Sequence, residues 1–324
     1  MTTWLLRRLV QAVFVMLAMT VIVFVGVNVI GDPVEILISP DADQAERLRV
    51  IAAFGLDKPL WEQYLHFLGG VVQGDLGKSF VFNEPALRLI GGRFPATMEL
   101  AFTAVALSVI VGIPLGLYAG LKPDGLLGRA IMAGSILGFS LPTFWVGLML
   151  IMVFAVQLGW LPSTGRGTTA EFLGIQWSFL TRDGLAHMVM PATNLALGNI
   201  ALVLRLTRAG VRENLGLEYV KFARAKGLSP SRVLFVHVMK NIMIPVVTVI
   251  GLEFGSVVAF AVVTESVFAW PGMGKLIIDS INVLDRPVIV AYLMMIVVLF
   301  VTINLLVDLM YTVLDPRVRL DGRE

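Results

Sequence analysis

Residues 217–245 read LEYVKFARAKGLSPSRVLFVHVMKNIMIP, and this stretch decides how every other segment is placed. It lies in the most basic part of a very apolar chain. Between Arg205 and Lys240 stand Arg205, Arg208, Arg212, Lys221, Arg224, Lys226, Arg232 and Lys240, against only Glu213 and Glu218. Apolar runs long enough to cross a bilayer flank it on both sides. The corner is therefore expected on the cytoplasmic face, where loops between spans carry an excess of Lys and Arg. Its middle predicts a short amphipathic helix, with Tyr219, Phe222, Ala223 and Ala225 joined by Leu228 on an apolar face and Lys221, Arg224 and Lys226 in water. Gly227 stands where a C′ glycine would stop that helix. Ser229 and Pro230 fit the N-cap and first turn of a second short helix. Two short helices lying along the membrane would make a rigid knob for another protein to grip. The same charges also suit a plain loop that only holds orientation.

Composition points the same way. The 324 residues are 57% hydrophobic and 15% charged, whereas a soluble domain carries about a quarter charged residues. The chain has no cysteine, which removes disulfides, thiolate metal sites and cysteine nucleophiles. The net charge is +2, and its basic excess falls in loops assigned to the inside, so nucleic acid is not the expected partner.

Upstream, Arg7 and Arg8 precede an uncharged run from Leu9 to Gly31. A signal peptide has an apolar core of about 7–15 residues; this run is longer and reads as an uncleaved first span over about 9–31, with the N-terminus inside. Residues 32–93 mix charges of both signs and are expected outside, with helix-like pieces at Gln44–Phe54 and Leu60–Gly69. Gly74-Asp75-Leu76-Gly77-Lys78-Ser79 ends like a phosphate-binding loop, but Val72 stands where that motif needs its first glycine.

A second span is expected over about Thr97–Leu121, with Gly112, Gly116 and Gly120 on one face for close helix approach and Pro114 suggesting a bend. A third starts near Ile131, with Gly134, Gly138 and Pro142. An outer loop then covers Gly159–Gly184. The fourth span, His187–Leu204, carries Pro191, Asn194, Gly198 and Asn199. The fifth covers Ile242–Thr264 and the sixth Pro287–Val313. Six spans put both termini in the cytoplasm. The fold class is thus an all-α integral membrane protein, divided into 1–93 (first span plus external segment), a core of five spans over 94–313, and a cytoplasmic tail at 314–324.

Ionisable residues inside spans are functional candidates. Glu253 lies halfway along span five. Gly251 and Gly255 point away from it, and Ser256, Phe260 and Thr264 share its face. That face reads either as a wall of a wet transport cavity or as a protonated glutamate bonded between helices. Asn304, Asp308 and Tyr311 recur near the inner end of span six and read as structural, with Asp308 bonding to the basic corner. Between spans five and six, Trp270-Pro271-Gly272 predicts a turn with Trp270 at the membrane interface. Gly274–Val283 then predicts a short helix dipping back toward the cavity; an ordinary interfacial turn is the alternative. Enzyme readings lack parts: His66, His187 and His237 fall at different depths, and neither G-x-S-x-G nor His-Glu-x-x-His occurs.

The run Ala223-Arg224-Ala225-Lys226-Gly227-Leu228-Ser229, followed by His237, Asn241 and Pro245, resembles the coupling-helix signature of dipeptide/oligopeptide/nickel-type ABC importer permeases. Against the general importer form E-A-A-x-x-x-G it keeps Ala223 and Gly227. It has Lys221-Phe222 for Glu-Ala and Met239-Lys240 for the later Leu-Pro. The resemblance extends through Gly31-Asp32-Pro33-Val34, Gly55-Leu56-Asp57-Lys58-Pro59, Gly74-Asp75-Leu76-Gly77, Phe94–Leu100, Thr264–Gly274 and Asn304–Arg317.

The resemblance implies a type I ABC importer permease fold with coupling helices at about 216–240. Glu218, Tyr219, Phe222, Ala223, Arg224, Ala225, Lys226 and Gly227 would dock an ATPase. Trp270, Pro271, Gly272 and Gly274 would form an external scoop-like loop. It also implies a homologous second permease, one or two cytoplasmic ABC ATPase subunits that bind the ATP and Mg, and an extracytoplasmic binding protein. The expected setting is the bacterial inner membrane. This chain is then a transport subunit rather than an enzyme and binds no cofactor or metal itself. The implied cargo is short peptides, with glutathione, nickel, an opine or a sugar as alternatives. A self-contained secondary transporter is the competing class, and it would show internal repeats.

Overall fold

The computed structural model describes residues 2–29 and 57–314, together with 44, 45, 48 and 51. Most of the expected helix at Gln44–Phe54, the Gly31–Val34 motif, Gly55-Leu56, Arg317 and the tail from 315 onward lie outside these residues, as do the side chains of Asp308 and Tyr311. The elements run α1 (Thr2–Val29), α2 (Leu60–Gln73), α3 (Ala86–Leu121), α4 (Leu126–Ser140) and α5 (Thr143–Leu150), which continues as a π-helix over Ile151–Gln157. A hairpin follows, β1 (Ala170–Phe172) and β2 (Ile175–Trp177), then α6 (Arg182–Leu215) and α7 (Glu218–Ala225). Next, α8 (Pro230–Arg232) passes through a π-helical turn at Val233–Val238 into α9 (Met239–Val267), and α10 (Met273–Asn282) and α11 (Arg286–Leu314) close the chain.

Among the described residues, five helical segments are long and apolar enough to cross a membrane: Leu6–Gly26, Ala86–Leu121, Arg182–Leu215, Pro230–Val267 and Arg286–Val307. The third expected span is not straight. Helices α4 and α5 are bent by 106° at Leu141-Pro142, and they make the sixth span if taken as one. The residue before a proline is driven out of the α region, and Leu141 accordingly has φ −81° and ψ 136°. By contrast Pro114 leaves α3 continuous. The second short helix expected at Pro230 is not separate; it is the first turn of the long segment that becomes span five.

Contacts group the chain into two units, Met1–Pro95 with Gly272–Thr302, and Ala96–Pro271 with Ile303–Glu324. In the first, Phe24 of α1 meets Tyr64 and Phe67 of α2, with ring centroids 5.4 and 5.8 Å away. Thr20 Oγ1 and Tyr64 Oη lie 2.9 Å apart. Val23, Val290 and Met294 form a small core with Phe67, Val71 and Leu76 around it. The phosphate-loop lookalike is a packed turn here. Gly74 caps α2 in the left-handed region, a Cβ on Gly77 would touch Pro287 at 3.5 Å, and Ser79 Oγ donates to the buried Asp285 carboxylate.

The second unit is built on close helix approach. The glycine face of α3 meets α6: a Cβ on Gly112 would lie 3.0 Å from Val203, one on Gly116 2.5 Å from the Leu204 carbonyl oxygen, and one on Gly120 2.7 Å from Val211. Each of these glycines therefore removes a side chain that would hold the two backbones apart. Gly210 similarly brings α6 onto Ile242 of the α9 segment, and Gly251 brings α9 onto Val307. The Gly134 and Gly138 face of α4 makes no such contact; nothing lies within 4 Å of a Cβ at Gly134.

Candidate transport and coupling sites

The basic corner is a capped helix welded to two spans. Gly227 has φ +76°. Its N–H donates to the Arg224 carbonyl oxygen (2.9 Å), and the Leu228 N–H donates to that of Ala223 (3.4 Å). That pair of bonds is the Schellman ending, with Gly227 at C′. Val220 and Ala223 are buried in a core shared with Val203 and Val211 of α6 and with Val233, Val238, Ile242 and Val246, while Tyr219 and Leu228 pack at its edge. Tyr219 Oη donates to Asn214 Oδ1 at 2.7 Å, tying α7 to the end of α6.

The apolar face therefore differs from the expected one. Val220 is its centre, whereas Phe222 is 62% exposed and Ala225 also points outward. The reason is angular: residues 220 and 223, three apart, share the inner stripe, and 222 and 225 fall on the opposite side. The outward surface is thus Glu218, Lys221, Phe222, Arg224, Ala225 and Lys226, with Lys226 Nζ 4.6 Å from the Phe222 ring centroid and Lys221 Nζ 2.7 Å from Glu218 Oε1. Of these residues, Phe222 and Arg224 are of the types enriched at protein interfaces.

Glu253 lines a small pocket between α3, α6 and α9 with Val105, Ser108, Asn199, Leu202, Val203, Val249 and Ile250. The pocket has room for about one water molecule. Its polar groups are Glu253, Asn199 and Ser108, and Ser108 Oγ already donates to the Val105 carbonyl (2.7 Å). The glycines point away from it as expected, Gly251 onto Val307 and Gly255 into a buried position. The rest of the expected wall separates. Ser256 is half-buried and Phe260 is 72% exposed. Thr264 is buried and accepts a hydrogen bond from Asn194 Nδ2 of α6 (3.0 Å). A stripe at spacings of 3, 4 and 4 drifts around a 3.6-residue helix, and α6 meets it at Glu253 and at Thr264 while Phe260 stays uncovered.

At the other end of α9, Trp270 is fully buried rather than interfacial, and its Nε1 donates to the Ala96 carbonyl (2.9 Å). An indole with its one donor satisfied is well suited to burial. Pro271 is half-buried, Gly272 and Gly274 are buried, and the expected helix beyond them is α10.

Two residues not singled out in the sequence organise this end. Glu99, 2% exposed, accepts from the backbone N–H groups of Ser178 (2.6 Å) and Phe179 (3.0 Å) and from Arg166 Nη2 (2.7 Å). Arg166 also donates to the Gln176 carbonyl and Ser178 Oγ. Removing one partner of such a buried pair costs about 3–5 kcal/mol. Nearby, Thr97 Oγ1 donates to the buried Glu265 carboxylate at 2.7 Å. The available signal was a carboxylate near the start of the expected second span; nothing in the sequence tied it to Arg166, which lies in the loop before α6.

Residues 112–320 match the family described as "Binding-protein-dependent transport system inner membrane component", and residues 1–101 match its N-terminal counterpart. The chain is 38% identical over 338 residues to the dipeptide transport system permease protein DppB of Escherichia coli K12, covering 98% of this chain and 99% of that one. It is 37% identical over 320 residues to the oligopeptide transport system permease protein AppB of Bacillus subtilis (98% and 99%). A glutathione transport system permease protein of Escherichia coli is 36% identical over 320 residues (98% and 99%). Among solved structures, the inward-facing MetNI methionine ABC transporter matches with a TM-score of 0.53 at 15% identity, over 70% of this chain and 96% of that chain, a likeness of fold.

Proposed function

This chain belongs to the inner-membrane components of binding-protein-dependent transport systems, and we propose on that premise that it is one of two homologous permease subunits in an ATP-driven importer of short peptides. The observation that carries the mechanism is the outward surface of α7, mounted on the ends of two spans. The basic excess supports a cytoplasmic position for this corner, with both termini on the same side. There Phe222, Arg224 and Lys226, backed by Ala223 and held by Gly227, receive an ABC ATPase, which binds the ATP and Mg. Closure of the paired ATPases moves α7, and α6 and α9 move with it because they share its core. Glu253 then changes its exposure between the two sides.

Peptides of every sequence carry an ammonium group at one end. A carboxylate near mid-bilayer lowers the barrier for such a group, because opposite charges attract strongly where water is scarce. The peptide permeases among the relatives support this cargo. Glutathione, the cargo named for another relative, is also a peptide with a free amino group and is the second reading. Proteoliposomes holding this chain, the second permease and the ATPases should accumulate labelled dipeptide only with ATP inside and binding protein outside. Competition by glutathione at equal concentration would favour the second reading. Uptake by this chain alone under an ion gradient would refute the importer reading.

A further inference from the structure

Arg205 belongs by sequence to the basic corner, but the structure sets it apart from the other cations there. The seam between α3 and α6 fixes its depth. Gly120, one residue before the end of α3, meets Val211, and Gly112 meets Val203. Arg205 therefore stands roughly 9 Å outward of the level at which α3 ends. Long side chains lean toward the N-terminus of their own helix, which on α6 is the outer end, so the guanidinium rises further still. It lies 4.6 Å from the Phe139 ring centroid. Helix α4 starts at Leu126, and Phe139 lies about 20 Å along it from that inner end. An arginine that merely snorkelled would turn the other way, toward the headgroups.

The surroundings are open and hold no counter-ion. Arg205 is half-buried, and the Phe139 ring is the only partner of its guanidinium among the described residues. Gly198, Leu202 and Arg205 share one stripe of α6 at spacings of four and three. Nothing lies within 4 Å of a Cβ at Gly198, so the stripe outward of Arg205 is unpacked. Phe139 is 59% exposed and stands two residues before the 106° break between α4 and α5. Broken helices at mid-membrane are where transporters hold charged cargo, and an arginine at such depth faces a partner or water rather than lipid. Leu202, one turn from Arg205, also lines the Glu253 pocket. A cation and a carboxylate thus stand at similar depth on neighbouring sides of α6.

We propose, on the importer reading above, that Arg205 is a specificity-determining residue of the pathway: its guanidinium takes the C-terminal carboxylate of the passing peptide, as Glu253 takes the ammonium end. The chemistry selects this group. A phenyl ring has no lone pair to accept with, so the planar fork of N–H donors is left for a pair of oxygens, which a carboxylate presents at matching spacing. Every peptide with a free C-terminus carries that group whatever its side chains, so recognition here distinguishes peptides from other amines without reading their sequence.

The test reads occupancy beside Arg205 directly. The chain has no cysteine, so Phe139→Cys gives it a single thiol. The complete transporter in nanodiscs, with any cysteines of its other subunits replaced, is treated with a small water-soluble thiol reagent in the absence of binding protein. Dialanine, or dialanine with its C-terminus amidated, is added at increasing concentration. The free acid should protect the thiol at a concentration at least about tenfold below the amide. Adding Arg205→Gln should abolish that difference. Arg205→Lys, which keeps the charge but not the fork, should retain part of it. Equal protection by acid and amide, or none by either, overturns the proposal. So does a thiol that never reacts, which would put this face against lipid or the second permease. Should Arg205→Gln fail to assemble, the comparison of acid with amide beside the unaltered Arg205 still decides. If the unaltered transporter takes up no dipeptide with ATP and binding protein, the importer reading fails instead.

Discussion

Replacing Gly116 by alanine tests the glycine seam between α3 and α6 with a single methyl group. The added Cβ would lie 2.5 Å from the Leu204 carbonyl oxygen, 2.8 Å from Thr207 Cβ and 3.1 Å from Leu204 Cα. Two of these are backbone atoms of α6, which no rotamer change can move. Ordinary contact needs about 3.5 Å, so α6 would have to retreat by roughly 1 Å there. Overpacking of this kind costs about 1–3 kcal/mol. Alanine's better helix propensity returns about 1 kcal/mol. The net expectation is destabilisation of about 0–2 kcal/mol for Gly116→Ala. Gly120→Ala should be milder, because its nearest backbone neighbour, the Arg208 carbonyl oxygen, lies at 3.2 Å, against 2.5 Å for the Leu204 carbonyl oxygen at Gly116. Gly134→Ala, with nothing within 4 Å, is the control and should be neutral or slightly stabilising in the isolated chain. Thermal unfolding of the three purified variants in detergent, followed by the loss of monodisperse protein, gives the ranking. Equal midpoints for Gly116→Ala and Gly134→Ala would refute the close-approach argument.

Three further outcomes are expected. Glu253→Gln keeps shape and hydrogen bonding but removes charge, so the transporter should assemble normally and take up amine-bearing peptides more slowly; wild-type uptake would leave Glu253 a structural group. At Gly227, open space surrounds the missing Cβ and only the φ of +76° resists substitution, so Gly227→Asn should be tolerated. Gly227→Val should lose about 1–3 kcal/mol at the helix end and transport less peptide per ATP hydrolysed; equal coupling in the two variants would contradict the role given to the Schellman ending. Finally, cysteines placed one at a time at the exposed positions Lys78, Ser163 and Ser229 in this cysteine-free chain should react with an impermeant reagent on intact spheroplasts at Lys78 and Ser163 but not at Ser229. Labelling at Ser229 would reverse the proposed orientation.

The sequence by itself determined the class of this protein and most of its helices, because both are written in local terms. A span needs only a long apolar run, a close-packed helix pair only small residues four apart, and a helix end only a glycine where φ must be positive. Gly112, Gly116, Gly120 and Gly227 were legible for that reason, as was the helix after Trp270. Only the tertiary structure decided which side of a helix is covered, and by what. Periodicity placed Phe222 inside and passed over Val220, since the stripe facing α6 and α9 depends on where those helices lie. Thr264 shares a helix face with Glu253 in the sequence, yet Asn194 reaches it first. Trp270 has the chemistry of an interface anchor, but the Ala96 carbonyl offers its N–H a buried partner. The Glu99–Arg166 pair joins residues 67 positions apart, and no local rule brings an arginine in a loop to a carboxylate in a span. Such contacts are fixed by how the chain returns on itself, and they decide how the loop before α6 is held.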